Sequence, residues 1–285
     1  MANENKIAFQ GLPGAFSDMS CRAAYPDMTP LPCPTFEDTF QAVHDGDAAL
    51  AMIPIENSVA GRVADIHQIL PNSRLHIIAE NFQRVQHQLL GKKGVKLEQL
   101  ETVHSHVHAL SQCRKVIREL GVKAIVHADT AGAAMDLAET GKDSMGAIAS
   151  ALAADIYDLD ILKENIEDED HNTTRFVIMA KKPIDPEPSA DIIVTSFVFR
   201  VRNVPAALYK ALGGFATNGI NMTKLESYMV RGEFTATQFY ADIEGHPDDD
   251  AVRLALEELS FFSREVNILG VYPGAPYRVA ERKNG

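Results

Sequence analysis

The chain has 285 residues, 46% of them hydrophobic, and a formal net charge of 27 − 39 = −12. Such a content suits a folded chain of two or three domains with a sizeable core and argues against disorder. The negative balance leaves no broad electrostatic footprint for nucleic acid or an anionic membrane, so an anionic ligand needs a local positive site.

In chain order, Ile7-Ala8-Phe9, Ala48 to Ile53, Leu75 to Ile78, Ala124-Ile125-Val126 and Gly146-Ala147-Ile148 read as short strands. Helix-period segments separate them, a βαβ pattern that predicts an α/β sheet. Ala109, Leu110, Cys113, Val116, Ile117 and Leu120 follow helical spacing, with Ser105 placed as N-cap and Gly121 as the stop. Three prolines and flanking charge make Lys181 to Asp191 an extended linker. The expected domains are 1–182, a linker 183–191, and 192–275. In the last, Ile192 to Val201, Pro205 to Ala216, Ile220 to Val230, Phe234 to Ile243, Asp249 to Leu259 and Val266 to Tyr272 alternate as βαββαβ, a ferredoxin-like module.

Cys21, Cys33 and Cys113 are widely spaced and form no Cys-x-x-Cys pair, which disfavours a disulfide framework and structural zinc. The start, Met1 to Lys6, has neither basic n-region nor apolar h-region, and no apolar run approaches the ~20 residues a bilayer span needs. A cytoplasmic location without a membrane partner is expected.

Four polar segments carry the chemistry. Gly11 to Ser17 follows the first strand and opens the first helix, so backbone N–H groups at Gly14 and Ala15 are placed to meet an anion; a plain βα turn reads equally well. Without Gly-x-Gly-x-x-Gly or a P-loop lysine, a nucleotide is disfavoured. Pro54 to Gly61 follows an apolar strand, and its Asn57 and Ser58 offer polar contacts at any pH, although such a loop taken alone more often just caps a helix. His104, His106 and His108 alternate, but a helix starting at His106 makes the imidazoles diverge, so no metal is expected. Ser105 and Gln112 suit an anion or hydroxyl better. Asn172-Thr173-Thr174-Arg175-Phe176 joins hydroxyls, a guanidinium and an aromatic face at the start of a strand, a combination that suits a small anion, though by itself it reads nearly as well as an exposed strand edge.

Gly11 to Ser17, Pro-Ile-Glu-Asn-Ser at 54–58, Ser-His-x-x-Ala-Leu-x-Gln-Cys at 105–113 and Asn-x-Thr-Arg-Phe at 172–176 occur in the order found in prephenate dehydratases, which the chain resembles over nearly its whole length. The resemblance implies a type II periplasmic-binding-like catalytic domain. Its first lobe spans about 1–80 and 170–182, its second about 81–169, and the chain crosses between them twice. An ACT domain follows, sensing L-phenylalanine and pairing subunits into a homodimer or homotetramer. It further implies decarboxylative dehydration of prephenate to phenylpyruvate without a cofactor. Thr174 is then the donor to the leaving hydroxyl, and Asn57, Ser58, Ser105, Gln112, Arg175, Phe176, Gly14 and Ala15 are substrate contacts. For Arg175 the pyruvyl carboxylate and a structural role both stand, and for Phe176 an apolar wall and a core position both stand. Ala207, Leu208, Asn221, Glu226 and Ser227 fall on the effector segments. Ala206 stands where the family usually has glycine, and Tyr228-Met229 replace Arg-Pro. The short lead before the first strand leaves no room for a fused chorismate mutase domain. Arogenate as substrate, and a non-catalytic amino-acid sensor, are the competing readings.

Overall fold

The computed structural model describes residues 5–188, 192–202, 204–229 and 236–284. The expected strand ends at Val230 and Phe234, linker residues 189–191 and the first four residues lie outside this set. The chain divides into two compact units, Met1–Val63 with Asn81–Phe176, and Ala64–Glu80 with Val177–Gly285.

The elements of the first part are β1 (Lys6–Gln10), α1 (Phe16–Ala24), β2 (Thr29–Cys33), α2 (Phe36–Asp45), β3 (Leu50–Asn57), β4 (Gly61–Arg62), α3 (Ala64–Ile69) and β5 (His76–Arg84). There follow β6 (Gln88–Gly91), β7 (Thr102–His106), α4 (Val107–Gln112), α5 (Arg114–Leu120), β8 (Lys123–His127), α6 (Thr130–Thr140), β9 (Met145–Ala149), α7 (Ala151–Ile156), β10 (Asp160–Lys163) and β11 (Thr173–Ala180). One sheet is ordered β2-β1-β3-β11-β5, with β4 on β3, and a second β10-β6-β9-β7-β8. β1 runs parallel to β2 and β3, and β7 parallel to β8 and β9. Two α/β sheets, with β5 and β11 returning to the first, make the type II periplasmic-binding-like arrangement.

Ile7, Ala8 and Phe9 are fully buried, as a central parallel strand covered on both faces requires. β2 escapes a hydrophobicity-based reading because it is Thr-Pro-Leu-Pro-Cys at the sheet edge, where proline is tolerated. The helix expected from Ser105 to Leu120 is two. Ser105 lies inside β7, His106 is the N-cap of α4, and the chain breaks at Cys113 (φ −122°) before α5, which ends at a left-handed Gly121.

The second unit carries β12 (Ile193–Val201), α8 (Ala207–Thr217), β13 (Met222–Met229), β14 (Ala236–Glu244), α9 (Asp250–Phe262), β15 (Ser263–Pro273) and α10 (Pro276–Asn284). The strands order β13-β14-β12-β15, all neighbours antiparallel, which is the ferredoxin-like topology. Phe197, Phe199 and Phe239 from the sheet bury against Ala211 and Phe215 of α8 and Val252 and Leu259 of α9. Residues 64–80, expected with the first lobe, belong by contact to this unit. The fully buried Glu80 carboxylate takes the Arg278 guanidinium (Nη2 2.9 Å) and the Ala275 N–H (3.0 Å). Gly270 is needed there too, since a Cβ would lie 2.1 Å from the Ile77 carbonyl oxygen.

Ala206 caps α8 at φ 61°, in the left-handed region. Its methyl costs about 1–2 kcal/mol there, against about 0.5–1 kcal/mol for the greater unfolded freedom of glycine. Ala206→Gly should therefore stabilise the chain by about 0.5–1 kcal/mol in urea denaturation; a destabilised variant would contradict the left-handed cap.

Candidate active site

Four chain segments, the fourth carrying His87, converge on one hydrogen-bonded chain of side chains. Asn57 is the last residue of β3, Asn172 and Thr174 flank the start of β11, and Gln112 ends α4. Asn57 Nδ2 donates to Thr174 Oγ1 at 2.9 Å and to Asn172 Oδ1 at 2.8 Å. Asn172 Nδ2 donates to Gln112 Oε1 at 3.0 Å, and His87 Nε2 approaches the same oxygen at 2.9 Å. Since Gln112 Oε1 only accepts, His87 carries its proton on Nε2. The residue is 2% exposed, its ring packs edge-on against Phe16 at 5.4 Å, and its Nδ1 has no partner among the described residues. Burial pushes its pKa below the usual value, outweighing the Gln112 bond and the Glu167 charge. A neutral imidazole therefore anchors the far end of the network.

The amide oxygen of Asn57 accepts the N–H groups of Val59 (3.0 Å) and Ala60 (2.7 Å), folding the turn after β3. Beside that turn lies a pocket of about 450 Å³ lined by Val59, Ala60, His108, Gln112, Arg114 and Glu169, among others. Asp168 closes one end of its wall. Its carboxylate accepts the N–H groups of Arg114 (3.0 Å) and Lys115 (3.1 Å), capping α5 where the helix restarts.

Several of the expected contacts are spent within the protein itself. Ser105 is fully buried and donates to the Ile148 carbonyl at 2.5 Å, because strand geometry points it into the second sheet rather than toward a ligand. The N–H of Gly14 is taken by buried Asp18 (2.9 Å) and that of Ala15 by the Leu12 carbonyl (3.1 Å), so a carboxylate of the protein already sits where an anion was expected. Glycine at 14 answers packing: its φ is 87° and a Cβ would lie 2.8 Å from Ala153 Cα, while Ser150 and Tyr157 bond the Gly14 and Pro13 carbonyls. Ser58 spends its hydroxyl on the chain, donating to His171 O (2.8 Å) and accepting Thr173 N–H (3.0 Å). Arg175, next to Thr174 on one strand, faces the opposite way; it is 3% exposed and donates to Glu56 Oε1 at 2.9 Å. Phe176 is a core residue, 1% exposed.

Of the effector candidates, Ala207 is buried in the second unit's core and Leu208 packs against it. Asn221 donates to Glu244 (2.7 Å), Lys224 lies 3.5 Å from Glu226, and Ser227 is exposed. A cavity of about 550 Å³ in that unit is lined by Arg200, Tyr228, Met229 and Gln238 with others, and by none of the five. Among the described residues no group of three or more His, Cys, Asp or Glu is placed to hold a metal. His104 and His106 are both pushed below the ordinary histidine pKa, chiefly by burial. Among the described residues no helix is long and apolar enough to cross a membrane.

His87 and Arg114 went unread in the sequence. A lone histidine between two glutamines has no periodic or spacing signal, and Arg114 looks like any helix-surface cation until the break at Cys113 is known.

Because His87 is held below its ordinary 6.5, the unfolded chain binds a proton the folded chain refuses as pH drops below about 6.5. Its stabilising contribution is thus present above that pH and lost on acidification through the folded value. His87→Gln keeps an N–H for Gln112 and should flatten the decline in urea stability between about pH 7 and 5; an unchanged decline would show that His87 is not the buried neutral group.

The family model for prephenate dehydratase matches residues 7–184. A bifunctional N-acyl-homoserine lactone acylase/prephenate dehydratase of Komagataeibacter europaeus is 54% identical over 98% of this chain and 99% of its own. The chloroplastic arogenate dehydratase/prephenate dehydratase 1 of Arabidopsis thaliana is 40% identical over 94% of this chain and 72% of its own. The structure of an Arthrobacter aurescens prephenate dehydratase in complex with L-Phe superposes with TM-score 0.86 at 28% identity, covering 98% of both chains. With a family match across most of its length and such relatives along nearly all of it, this chain belongs to the prephenate dehydratase family of enzymes.

Proposed function

We propose that the chain converts prephenate to phenylpyruvate, carbon dioxide and water, with Thr174 as the group that follows the departing oxygen. The observation that carries this is the 2.9 Å bond from Asn57 Nδ2 to Thr174 Oγ1. It occupies a lone pair of the hydroxyl and leaves its proton, which has no acceptor among the described residues, to donate to a substrate.

The electrons of the bond to the ring carboxylate move through the ring diene, CO2 leaves, and the C–O bond at the opposite carbon breaks. One proton ends on the released hydroxide, and aromatisation drives the step with no net redox change. Hydroxide is the poor leaving group, so a donor bond that strengthens as charge develops on oxygen lowers the barrier. Asn57, accepted upon by Thr174, polarises that hydroxyl and fixes its rotamer; Asn172, Gln112 and His87 hold Asn57 in turn. Arg175 keeps a structural role on the opposite face with Glu56. Arogenate is the second reading. Its ammonium in place of the keto group is favoured by the Glu169 carboxylate in the pocket wall.

Thr174→Ala should lower turnover roughly 10²–10³-fold, about 3–4 kcal/mol, in parallel assays on prephenate and arogenate, while Thr174→Ser keeps most of the rate. A folded alanine variant with near-normal turnover removes Thr174 from the mechanism.

The ferredoxin-like unit is read as an ACT domain that takes L-phenylalanine between paired copies, supported by its βαββαβ order and by the L-Phe complex of the Arthrobacter relative. Ala207, Leu208, Asn221, Glu226 and Ser227 are the proposed contacts. The exposed face of edge strand β13 is the surface available for pairing. Phenylalanine then acts by binding a less active arrangement more tightly, in a cytoplasmic homodimer or homotetramer. Sedimentation should find at least a dimer, with activity falling on addition of phenylalanine; a monomer under both conditions would overturn the regulatory part.

A further inference from the structure

We propose that Arg114 holds the side-chain carboxylate of the substrate, an assignment that rests on the prephenate reading above. A dianionic substrate needs a cation, and Arg175, the guanidinium beside Thr174 in sequence, is buried against Glu56 on the other face of β11. The pocket beside the Asn57 turn contains a different one. Arg114 lines it together with Gln112, whose amide oxygen reaches Thr174 through two asparagines, Asn172 and Asn57. The side chain is exposed and has no ion-pair partner among the described residues. Its backbone is fixed, since the Arg114 N–H is capped by Asp168 at 3.0 Å.

Neither acidic group in the same wall pairs with its guanidinium. Asp168 spends both carboxylate oxygens on the α5 N–H groups, and Glu169 is exposed and not within ion-pair distance. The position at the first residue of α5 follows from the break at Cys113; a continuous helix would have spaced Gln112 and Arg114 about 200° apart on its surface.

Chemistry decides which carboxylate Arg114 takes. The ring carboxylate must give up its charge as CO2 forms, so a cation bound to it would stabilise the ground state and raise the barrier. The pyruvyl carboxylate keeps its charge from substrate to product and lies at the ring end opposite the hydroxyl that Thr174 serves. A guanidinium there binds ground state and transition state alike, anchoring the ring without opposing the reaction.

Arg114→Gln and Arg114→Lys in the full chain test this, with Lys115→Gln as a control that removes the same charge one residue along. The glutamine variant should raise KM for prephenate about 10–100-fold with kcat within about threefold, since it removes a charge-assisted bond made equally in both states. Affinity for phenylpyruvate, which retains only the pyruvyl carboxylate, should fall by a similar factor in calorimetry. Lysine should recover part of both losses, and Lys115→Gln should change neither more than about twofold. Unchanged KM and phenylpyruvate affinity would overturn the assignment. So would a loss for prephenate alone, which would put Arg114 on the ring carboxylate, or an equal effect of Lys115→Gln, which would make it a general field. A wild-type protein that does not turn over prephenate sinks the catalytic reading, while the phenylpyruvate titration still decides the Arg114 contact.

Discussion

One carboxamide, that of Asn57, holds the site together. All four of its hydrogen-bonding positions are filled: the two N–H groups go to Asn172 and Thr174, and the oxygen takes the N–H groups of Val59 and Ala60. A side chain satisfied in this way has one orientation, because rotating the amide would break four bonds at once. The turn after β3, the first residues of β11 and the rotamer of the Thr174 hydroxyl therefore depend on the same group. Aspartate would keep the turn and lose both donors, which separates the architectural half of the residue from its chemical half.

The pleat of β3 and β11 sorts the rest. Asn57 and Thr174 meet on one face and Glu56 and Arg175 on the other, since successive strand residues point to opposite sides. The motif Thr-Arg-Phe thus has three destinations: a hydroxyl in the site, a guanidinium in a buried ion pair and a ring in the core. The Arg175 side chain is 3% exposed and that of Glu56 32%, so the desolvation of the guanidinium offsets much of the attraction and the pair serves to hold the strand ends in register more than to add net stability.

Two further constraints shape the same compact unit. Glycine at 14 lets the loop after β1 seat against the start of α7, where Ser150 and Tyr157 bond its carbonyls. Asp168 ties the segment before β11 to the first turn of α5. Both bring residues far apart in sequence to fixed positions, and neither uses a charged substrate to do so. The polar turns of this chain serve as joints within the protein.

Hydrophobic period and turn chemistry were enough to place β1, β3, β9 and the βαββαβ unit, because these are buried strands and amphipathic helices whose burial is written in their own residues, and the apolar run of β8, which the fold leaves largely exposed at a sheet edge. The sequence also singled out Asn57, Gln112 and Thr174, which carry polar groups where apolar runs end. It could not assign Ser105, Ser58, Gly14 or Arg175, because a hydroxyl, an N–H or a guanidinium looks the same whether it faces a ligand or a neighbouring backbone. Nor could it find His87, a single imidazole with no pattern around it, or the break at Cys113 that turns Arg114 toward the pocket. Local sequence determines which groups a segment can offer and how its backbone runs. Only the tertiary structure decides which of them are spent on the protein itself, because buried polar groups need partners, and for Ser105, Ser58 and Arg175 the partner lies 43 to 119 residues away.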